Sequence, residues 1–353
     1  MEKPVIKGRG AQLNLPNTFS KQHYSVEDST TGNKEISTSP TTQFFYENPV
    51  KIVSVSESPD LGVMHSINPY QGCEHGCAYC YARNSHNYWG FNSGLEFESK
   101  IIVKRTAPQM LERYLSGYQG QVTPILLSGN TDCYQPAERT FQLTRKMLEI
   151  FYKFRHPVSI ITKNHLILRD LDILSKLAGE KLVNVFVSIT TLNETIRRKM
   201  EPRTASVKKR LEVVETLTQN SIPVGVMNAP IIPGLTDHEI PMILKETAAR
   251  GALTAGYALV RLNGNIGTIF EDWINKSFPT KASKVLNQIA ACHDGKLNDS
   301  QWHRRQKGSG NIADMISQVF KTSRTKYFDG RKMPVQHKHK FRRGGNHVLS
   351  FDL

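Results

Sequence analysis

An α/β fold, with a parallel sheet covered by helices, is predicted by two features of the chain. From about residue 64 to residue 262, short apolar runs alternate with longer amphipathic stretches. The runs have the length of buried strands, and the stretches place apolar residues at helical spacing. About six β/α units result. That number suits an open, partial (β/α)6 TIM-type barrel better than a closed barrel of eight strands.

The predicted strands follow one another in order along this region. The segment HSINPY, just before the first cysteines, is the first strand, and five further runs follow it: PILLSG (124–129), VSIITK (158–163), VNVFVSI (183–189), PVGVMNA (223–229) and AGYALVRL (255–262). Each segment between them, for example ERTFQLTRKMLEIFYKF, predicts a helix. Chemistry in such barrels takes place at the carboxyl ends of the strands, so residues just after the runs are the candidates for a site.

The two ends of the chain lie outside this pattern. Three regions are therefore predicted: an extended N-terminal arm (1–60), the barrel (61–300) and a basic helical C-terminal extension with a tail (301–353). The arm is rich in Ser, Thr, Asn and Pro and has little periodic apolar pattern, which is typical of extended or partly disordered chain. In the extension, a helix is predicted at about residues 311–322.

The net charge of +15 is concentrated near the C-terminus. Between Gln301 and Arg343, twelve Lys and Arg residues stand against two Asp residues, so this segment carries about two thirds of the excess charge. A phosphate backbone is the partner that such a patch predicts, because each neutralised phosphate releases counterions. Nucleic acid is therefore the predicted partner, and a basic tail that only aids solubility is the alternative.

The compartment is predicted from what the sequence lacks. No stretch approaches the roughly 20 apolar residues of a membrane span, and the first residues, MEKPVIKGRGAQLNLPNTF, have no apolar run of a secretory signal. Five cysteines in a chain of 353 residues, three of them within eight residues, do not resemble a disulfide framework. We therefore expect a cytoplasmic protein without membrane contact, with thiols free to bind metal.

Cys73, Cys77 and Cys80 form a C-x3-C-x2-C pattern directly after the first predicted strand. Thiolates are the usual protein ligands of iron–sulfur clusters. Three of them would fill three corners of a [4Fe–4S] cubane and leave the fourth iron open to a small-molecule ligand. The alternative is a zinc site completed by His75 or His86. Zinc modules more often use C-x2-C pairs, however, and this segment has only one such pair.

The cysteine segment resembles a known superfamily. With Tyr79 before the last cysteine, the tripeptide Cys80-Tyr81-Ala82 and the segment SGNTDCYQPAE, residues 64 to about 265 are similar to the radical S-adenosylmethionine (SAM) superfamily, in its DNA-repair-photolyase-like branch, which includes spore photoproduct lyase. The resemblance implies an enzyme that cleaves SAM reductively at a [4Fe–4S] cluster. It also implies a 5′-deoxyadenosyl radical that abstracts hydrogen from a substrate, and an electron donor such as flavodoxin or ferredoxin.

The resemblance further implies which positions contact SAM. Oxygen atoms after the second strand would meet the methionyl amine, although a turn or helix cap there is the alternative. Lys163 after the third strand would pair with the SAM carboxylate, and hydroxyls after the fourth strand would face the ribose. Glu201 and Arg203 would either bind SAM or brace each other. The implied contacts are Tyr79, Ser128, Thr131, Asp132, Lys163, Ser188, Thr190, Glu201, Arg203 and Ile232.

Cys133 is a candidate for a catalytic hydrogen donor, because spore photoproduct lyase uses a separate cysteine near this strand. Here the cysteine follows Asp132, whereas in the lyase it precedes the Asp, so a buried, inert cysteine is the alternative. The aromatic residues Tyr81, Tyr88 and Trp89 would stack on a base or simply pack in the loop.

Three functions are compatible with these patterns. The first is a radical SAM enzyme with a nucleic-acid substrate, the second a radical SAM enzyme acting on a peptide or small molecule, and the third a non-catalytic zinc protein that binds nucleic acid. The last residues, HVLSFDL, faintly resemble peptides that bind the bacterial sliding clamp, and an edge strand or a disordered end is the alternative.

Overall fold

Two sheets organise the part of the chain that the computed structural model describes, which is residues 5–17, 19, 41–60 and 64–344. These residues contain ten strands: β1 (Gln43–Tyr46), β2 (Val53–Ser56), β3 (Met64–Ile67), β4 (Tyr70–Gln71), β5 (Lys100–Val103), β6 (Ile125–Leu127), β7 (Val158–Thr162), β8 (Val183–Ser188), β9 (Val224–Ile231) and β10 (Thr254–Leu259).

The same ranges contain eleven α-helices: α1 (Leu95–Ser99), α2 (Ala107–Ser116), α3 (Glu138–Phe141), α4 (Leu143–Lys153), α5 (Leu171–Gly179), α6 (Glu194–Met200), α7 (Val207–Gln219), α8 (Ile240–Ala249), α9 (Asn265–Ser277), α10 (Pro279–Cys292) and α11 (Asn311–Phe328). Short 3-10 helices cover Tyr81–Trp89, His165–Asp170 and Asp237–Glu239. None of the helices in the described residues is long and apolar enough to cross a membrane.

The larger sheet has the strand order β10-β9-β8-β7-β6-β3-β2. Six of its strands, β3 and β6 to β10, run parallel to their neighbours, and β2 is antiparallel to β3. These six strands match the six predicted runs to within three residues at each end, which confirms an α/β fold with a parallel sheet. Within the described residues the edge strands β2 and β10 do not pair, so the sheet is not a closed barrel.

The strands are buried because helices cover the sheet. Val183, Val185 and Val187 of β8 have almost no exposed surface, and they pack in one core with Phe151 of α4 and Leu217 of α7. Burial of a side chain of this kind contributes about 1.5–3 kcal/mol. Continuous apolar runs are typical of parallel strands, whose two faces are both covered. The core therefore fixes the direction of the strands and gathers their carboxyl ends at one edge.

The predicted N-terminal arm takes part in both sheets. Strand β1 pairs in parallel with β5, which also pairs with β4, and β2 extends the larger sheet. Residues 5–17, which we call the N-terminal strap, lie against the segment that carries the three cysteines. The contacts of the arm are made mainly by backbone groups. They need few apolar side chains, so the sequence of the arm shows no periodic apolar pattern.

The C-terminal extension contains α11, which runs six residues beyond the predicted helix and packs on α8 and β10. After α11 the chain passes the amino ends of the parallel strands. There the Gln336 side-chain amide donates to the carbonyl oxygens of Val158 and Leu182, at 2.7 and 2.9 Å. The backbone N–H of Arg342 donates to Phe154. This part of the basic segment thus lies at the end of the sheet opposite the strand ends that carry the cysteine segment.

Candidate metal centre

The three cysteines lie in one loop, residues 72–80, which follows β4 and which we call the cysteine loop. Cys73 and Cys77 are buried, and Cys80 is half-buried. The Cys73 N–H donates to Phe97 O at 2.9 Å. Gly72 and Gly76 have φ angles of 77° and 67°, a region that glycine occupies without strain. The turns of the loop therefore depend on these two glycines.

Burial in the loop keeps the thiols protonated until metal binds. It raises the pKa of Cys77 to about 12, helped by the charge of Glu201 and opposed by the charge of Lys163. Burial also raises the pKa of Cys80, against the charges of Arg83 and Lys163. Metal ligation requires thiolates, so binding must release protons and depends on the positive charge of the metal.

The donor set fits an iron–sulfur cluster. Each cysteine thiol is close enough to another for their charges to raise one another's pKa. Yet in residues 5–17, 41–60 and 64–344, no three His, Cys, Asp or Glu side chains meet closely enough to hold a single metal ion. A cubane takes its thiolates at separate corners rather than at one point. Three neighbouring thiols in one loop supply the number and the type of ligands that such a cluster takes.

His75 does not complete a zinc site. Its Nδ1 lies 3.4 Å from Asp132 Oδ2, and its Nε2 lies 2.9 Å from the side-chain nitrogen of Asn164. Burial lowers the pKa of His75 to about 4, so the ring is neutral at pH 7. A neutral ring that accepts at Nε2 from Asn164 carries its proton on Nδ1, which faces Asp132, so both nitrogens already have a polar partner.

Asp132 joins the ends of two strands. It accepts hydrogen bonds from the Thr162 hydroxyl and from the Lys163 N–H, both at 2.8 Å. Next to it, the buried Thr131 hydroxyl donates to Tyr70 O at 2.6 Å, and Ser128 Oγ accepts from the N–H of the following Cys133 at 2.7 Å. The two predicted amine contacts, Thr131 and Asp132, and the further predicted contact Ser128 thus lie together at the carboxyl edge of the sheet, and each already bonds the protein. Their role towards SAM stays a prediction.

Lys163 is the cation at this edge. Its ammonium lies 6.0 Å from the centre of the Tyr79 ring, and its charge lowers the pKa of Cys77 and of Glu201. The described residues give its side chain no hydrogen bond and no ion pair. A half-buried ammonium in this position attracts an anionic group, which agrees with the predicted role towards the SAM carboxylate.

A buried network lies behind the loop and is centred on Glu201. The carboxylate pairs with Arg210 and accepts from the hydroxyls of Tyr79 and of Thr190, the latter at 2.9 Å. Arg210 also donates to Ser188 O at 3.0 Å. Burial alone would raise the pKa of Glu201, but Arg210 and Lys163 outweigh it, and the pKa is lowered. Four predicted SAM contacts are therefore tied into one charged, hydrogen-bonded unit.

The suggestion that Glu201 and Arg203 brace each other is wrong. Glu201 ends α6 and faces inward to Arg210, whereas Arg203 pairs with Glu74 of the cysteine loop at 3.1 Å. The N–H of Arg203 also donates to His75 O. Arg203 therefore stabilises the loop from the outside. Sequence reasoning missed Arg210, although its place on the buried face of α7 among apolar residues was a usable signal.

Two further predicted residues are buried in apolar surroundings. Cys133 has no exposed surface and lies in the main core, where burial raises the pKa of its thiol. That is the position of an inert core cysteine, so its assignment as a hydrogen donor gains no support. Ile232 is also fully buried, but it packs in the same cluster as Cys77 and Tyr79, close to the loop.

A shallow pocket of about 370 Å³ opens beside the end of the cysteine loop. Its walls combine aromatic rings with side-chain amides: Phe19, Tyr81, Asn84, Ser85, Asn87, Tyr88, Gly264 and Asn265 line it. Tyr88 is largely exposed and stacks on Phe19, with ring centroids 4.7 Å apart. The pocket is thus a polar, aromatic recess beside the segment that follows the cysteines.

The sequence of the chain is similar to one superfamily and to several known proteins. The model of the Radical SAM superfamily matches residues 67–247. An uncharacterized protein of Mycobacterium tuberculosis (strain ATCC 25618 / H37Rv) is 30% identical over 232 residues, which are 65% of this chain and 68% of that protein. An uncharacterized protein of Methanocaldococcus jannaschii is 30% identical over 230 residues, 65% of this chain and 82% of that protein.

Solved structures show the same fold. Spore photoproduct lyase complexed with dinucleoside spore photoproduct aligns with a TM-score of 0.58 at 14% identity, covering 81% of this chain and 80% of that chain. A double mutant of the lyase with bound AdoMet and the same dinucleoside aligns with a TM-score of 0.59 at 14% identity and the same coverage.

Proposed function

The chain belongs to the radical SAM superfamily, and on that basis we propose that its sheet, as a partial (β/α)6 barrel, generates a 5′-deoxyadenosyl radical that removes hydrogen from a nucleic-acid substrate. Enzymes of this class use a [4Fe–4S] cluster and SAM, and these are the cofactors of this chain. Membership also removes the non-catalytic zinc protein from consideration.

The chain's own residues bind and orient the cofactors. When bound, the cluster and SAM supply the electron and the radical, which no side chain can provide. Cys73, Cys77 and Cys80 would hold three of the four irons. Lys163 would bind the SAM carboxylate, and Asp132 would accept from the amine. Of the other predicted contacts, Ser188 and Thr190 would act through the network of Glu201 and Arg210, which holds Tyr79 and the end of β8 in place.

Arg261 is the observation that supports a nucleic-acid substrate. It follows β10 at the carboxyl edge of the sheet, and within the described residues it makes no hydrogen bond or ion pair. Burial and the nearby charge of Arg305 lower the pKa of its guanidinium. Asn84 donates to Asn263 O at 2.8 Å, so the chain around Arg261 lies beside the segment that follows the cysteines. The nearest acid that acts on it, Asp60, is already paired with Arg305, and a half-buried guanidinium without an ion pair of its own at this place suits a phosphate.

Two exposed aromatic rings lie near the guanidinium groups of this region. The Arg305 guanidinium lies 3.9 Å from the centre of the Trp302 ring, which is 50% exposed. Tyr81, also 50% exposed, directly follows Cys80 and interacts electrostatically with Arg261. We call Tyr81, Arg261, Trp302 and Arg305 the aromatic–arginine rim. Flat exposed rings beside guanidinium groups bind single-stranded nucleic acid through base stacking and phosphate pairing.

Of the basic extension, which carried the sequence prediction, Trp302 and Arg305 belong to the rim, whereas the part beyond α11 supports this function less. Beyond α11 it lies at the amino ends of the strands, and several of its cations are already engaged. Arg331 donates to Ala248 O at 2.6 Å, and Lys340 lies 3.7 Å from Glu180. An electron donor such as flavodoxin or ferredoxin stays a prediction. The predicted clamp-binding peptide falls in residues 345–353, which are outside the described residues.

The proposal is tested with the reconstituted full-length enzyme and single-stranded DNA and RNA oligonucleotides. Affinity is measured at two salt concentrations, and 5′-deoxyadenosine is measured by chromatography after reduction with dithionite. Trp302→Ala is expected to lower oligonucleotide affinity by about tenfold, since stacking contributes about 1–3 kcal/mol per base. Arg261→Ala should also flatten the salt dependence. SAM cleavage without nucleic acid should be unchanged.

Lys332→Ala, in the extension beyond α11, is the matched control and should bind as the wild type does. If both rim variants bind oligonucleotides as tightly as the wild type while they still cleave SAM, a nucleic-acid substrate at this rim is rejected. The alternative of a peptide or small-molecule substrate then takes its place.

A further inference from the structure

The N-terminal strap lies directly on the cysteine loop. The approach is so close at Gly10 that a Cβ atom there would overlap the carbonyl oxygen of Gly76 and would lie 3.0 Å from the Ala78 nitrogen. Gly10 is buried, and so are its neighbours Arg9 and Ala11. Only glycine allows backbone to meet backbone at this distance. The strap therefore covers the turn between the first two cluster cysteines.

Glu98 holds the strap in this position. Its carboxylate has no exposed surface and accepts from the N–H groups of Gly10 and Ala11, at 3.2 and 2.7 Å. The Arg9 guanidinium donates to the carbonyl oxygen of Glu98 at 2.8 Å. The same carboxylate also leaves no space for a side chain at Gly76 of the loop, because a Cβ there would lie 2.6 Å from Glu98 Oε2. One buried acid thus contacts both the strap and the loop.

Arg83 carries the connection on to the cysteines. It is fully buried, pairs with Glu98 at 2.5 Å and donates twice to the carbonyl oxygen of Cys77, at 3.0 and 2.8 Å. The Arg83 N–H also donates to the carbonyl oxygen of Cys80 at 3.3 Å. Burial of two charges is costly unless their geometry and further hydrogen bonds compensate. Here the further bonds of the two side chains end on the strap, on Cys77 and on the carbonyl oxygens of Ser93 and Gly94.

The rest of the strap attaches to the same neighbourhood. Asn14 accepts from the Leu95 N–H at 2.8 Å, and Asn17 donates to Asn87 O and Phe91 O. A Cβ on Gly94 would overlap Leu13 O. All of these partners lie between the last cysteine and Glu98. The strap thus follows the outer surface of the cysteine loop and of the segment just after it.

We propose that the N-terminal strap is part of the cluster site, and that Gly10, Glu98 and Arg83 are positioning residues that hold Cys77 and Cys80 for iron. The strap shields the loop from water and oxygen on its outer side, while SAM would enter from the opposite, sheet side. The inference concerns cluster retention alone, so it stands whether or not the substrate is a nucleic acid.

Gly10→Ala tests the contact, and Gly8→Asn is its matched control. Gly8 lies in the same strap with φ 76°, and a Cβ there meets nothing within 4 Å. Asn tolerates that backbone conformation. After anaerobic reconstitution, Gly10→Ala should lose its iron to a chelator, and its brown colour in air, about tenfold faster than the wild type, the effect expected of a residue that supports metal ligands. Gly8→Asn should match the wild type.

A second variant keeps the test decisive if Gly10→Ala folds poorly. Glu98→Gln preserves the shape of the side chain and removes the charge that holds Arg83 and both strap amides. It should also lose iron faster, and the midpoint potential of the cluster should shift, whereas circular dichroism of the iron-free protein should be unchanged. A strap that serves only the fold would lower the melting temperature without changing iron loss or potential. That result, in both variants, would overturn the proposal.

Discussion

The two ends of the chain show how little net charge says about where the chemistry of a protein lies. Both ends fall outside the alternating strands and helices, and from sequence the basic C-terminal extension was the more informative of the two. In the structure the extension lies along the amino ends of β7 and β8, while the N-terminal strap covers the cysteine loop. A few backbone contacts, not a charge excess, connect a chain terminus to the cluster.

The largest expected effect is the loss of iron on substitution of a cysteine in the loop, compared with a cysteine in the core. Cys77→Ala should abolish the cluster, because three thiolates are the minimum that a [4Fe–4S] centre with an open iron requires. Cys133→Ala should retain iron and cost only about 1 kcal/mol, as expected for a small change in a packed core. Iron and sulfide analysis after reconstitution checks both. Loss of iron from the Cys133 variant with retention in the Cys77 variant would reverse the ligand assignment.

A second prediction concerns the charged network behind the loop. Arg210→Ala leaves the Glu201 carboxylate buried without its cation, and such a change typically costs about 3–5 kcal/mol. Urea unfolding of the iron-free protein measures it. The double variant Glu201→Gln with Arg210→Met keeps an acceptor for Tyr79 and removes both charges, so it should recover most of the loss. A double variant as unstable as Arg210→Ala would show that the network acts through more than charge compensation.

The strands and the cysteine loop could be predicted from the sequence, whereas the charged network behind the loop and the contact of the strap could not. The strands were found to within three residues because a parallel strand is apolar on both faces. The three cysteines could be predicted as neighbours because their spacing is local, and the structure brings them together in one loop, while their role as ligands stays a prediction. The pairing of Glu201 with Arg210 was not, since it depends on how α7 packs behind β8. The role of Gly10 was hidden for the same reason, because a close backbone approach leaves no periodic or compositional signal.

The third prediction uses pH to probe the opposite end of the sheet. His156 lies beside Phe341 of the extension, and burial lowers its pKa to about 4. In the unfolded chain, His156 becomes protonated near pH 6.5. The contribution of the neutral ring to the free energy of unfolding is therefore complete above that pH and is lost as the pH falls towards 4. The loss is about 3 kcal/mol. His156→Asn, which keeps a donor for Pro157 O, should remove that part of the pH dependence in urea unfolding.

The substitution of His156 tests the extension without changing the residues that would hold the cluster. His156 has no contact with the cysteine loop, so His156→Asn should reconstitute with wild-type iron content. If the variant loses stability between pH 6.5 and pH 4 as steeply as the wild type, the other buried histidines account for the acid sensitivity, and the extension does not depend on a neutral ring at this position.

The smallest expected effect comes from the surface of the extension. Lys340 lies 3.7 Å from Glu180, and both side chains are partly exposed to water. Exposed ion pairs contribute about 0–1 kcal/mol, so Lys340→Ala should change unfolding by no more than that and should leave iron retention as it is. The measurement is again urea unfolding, beside iron loss to a chelator. An effect on iron loss close to that of Gly10→Ala would mean that the two ends of the sheet are coupled, and the contrast between strap and extension would then no longer hold.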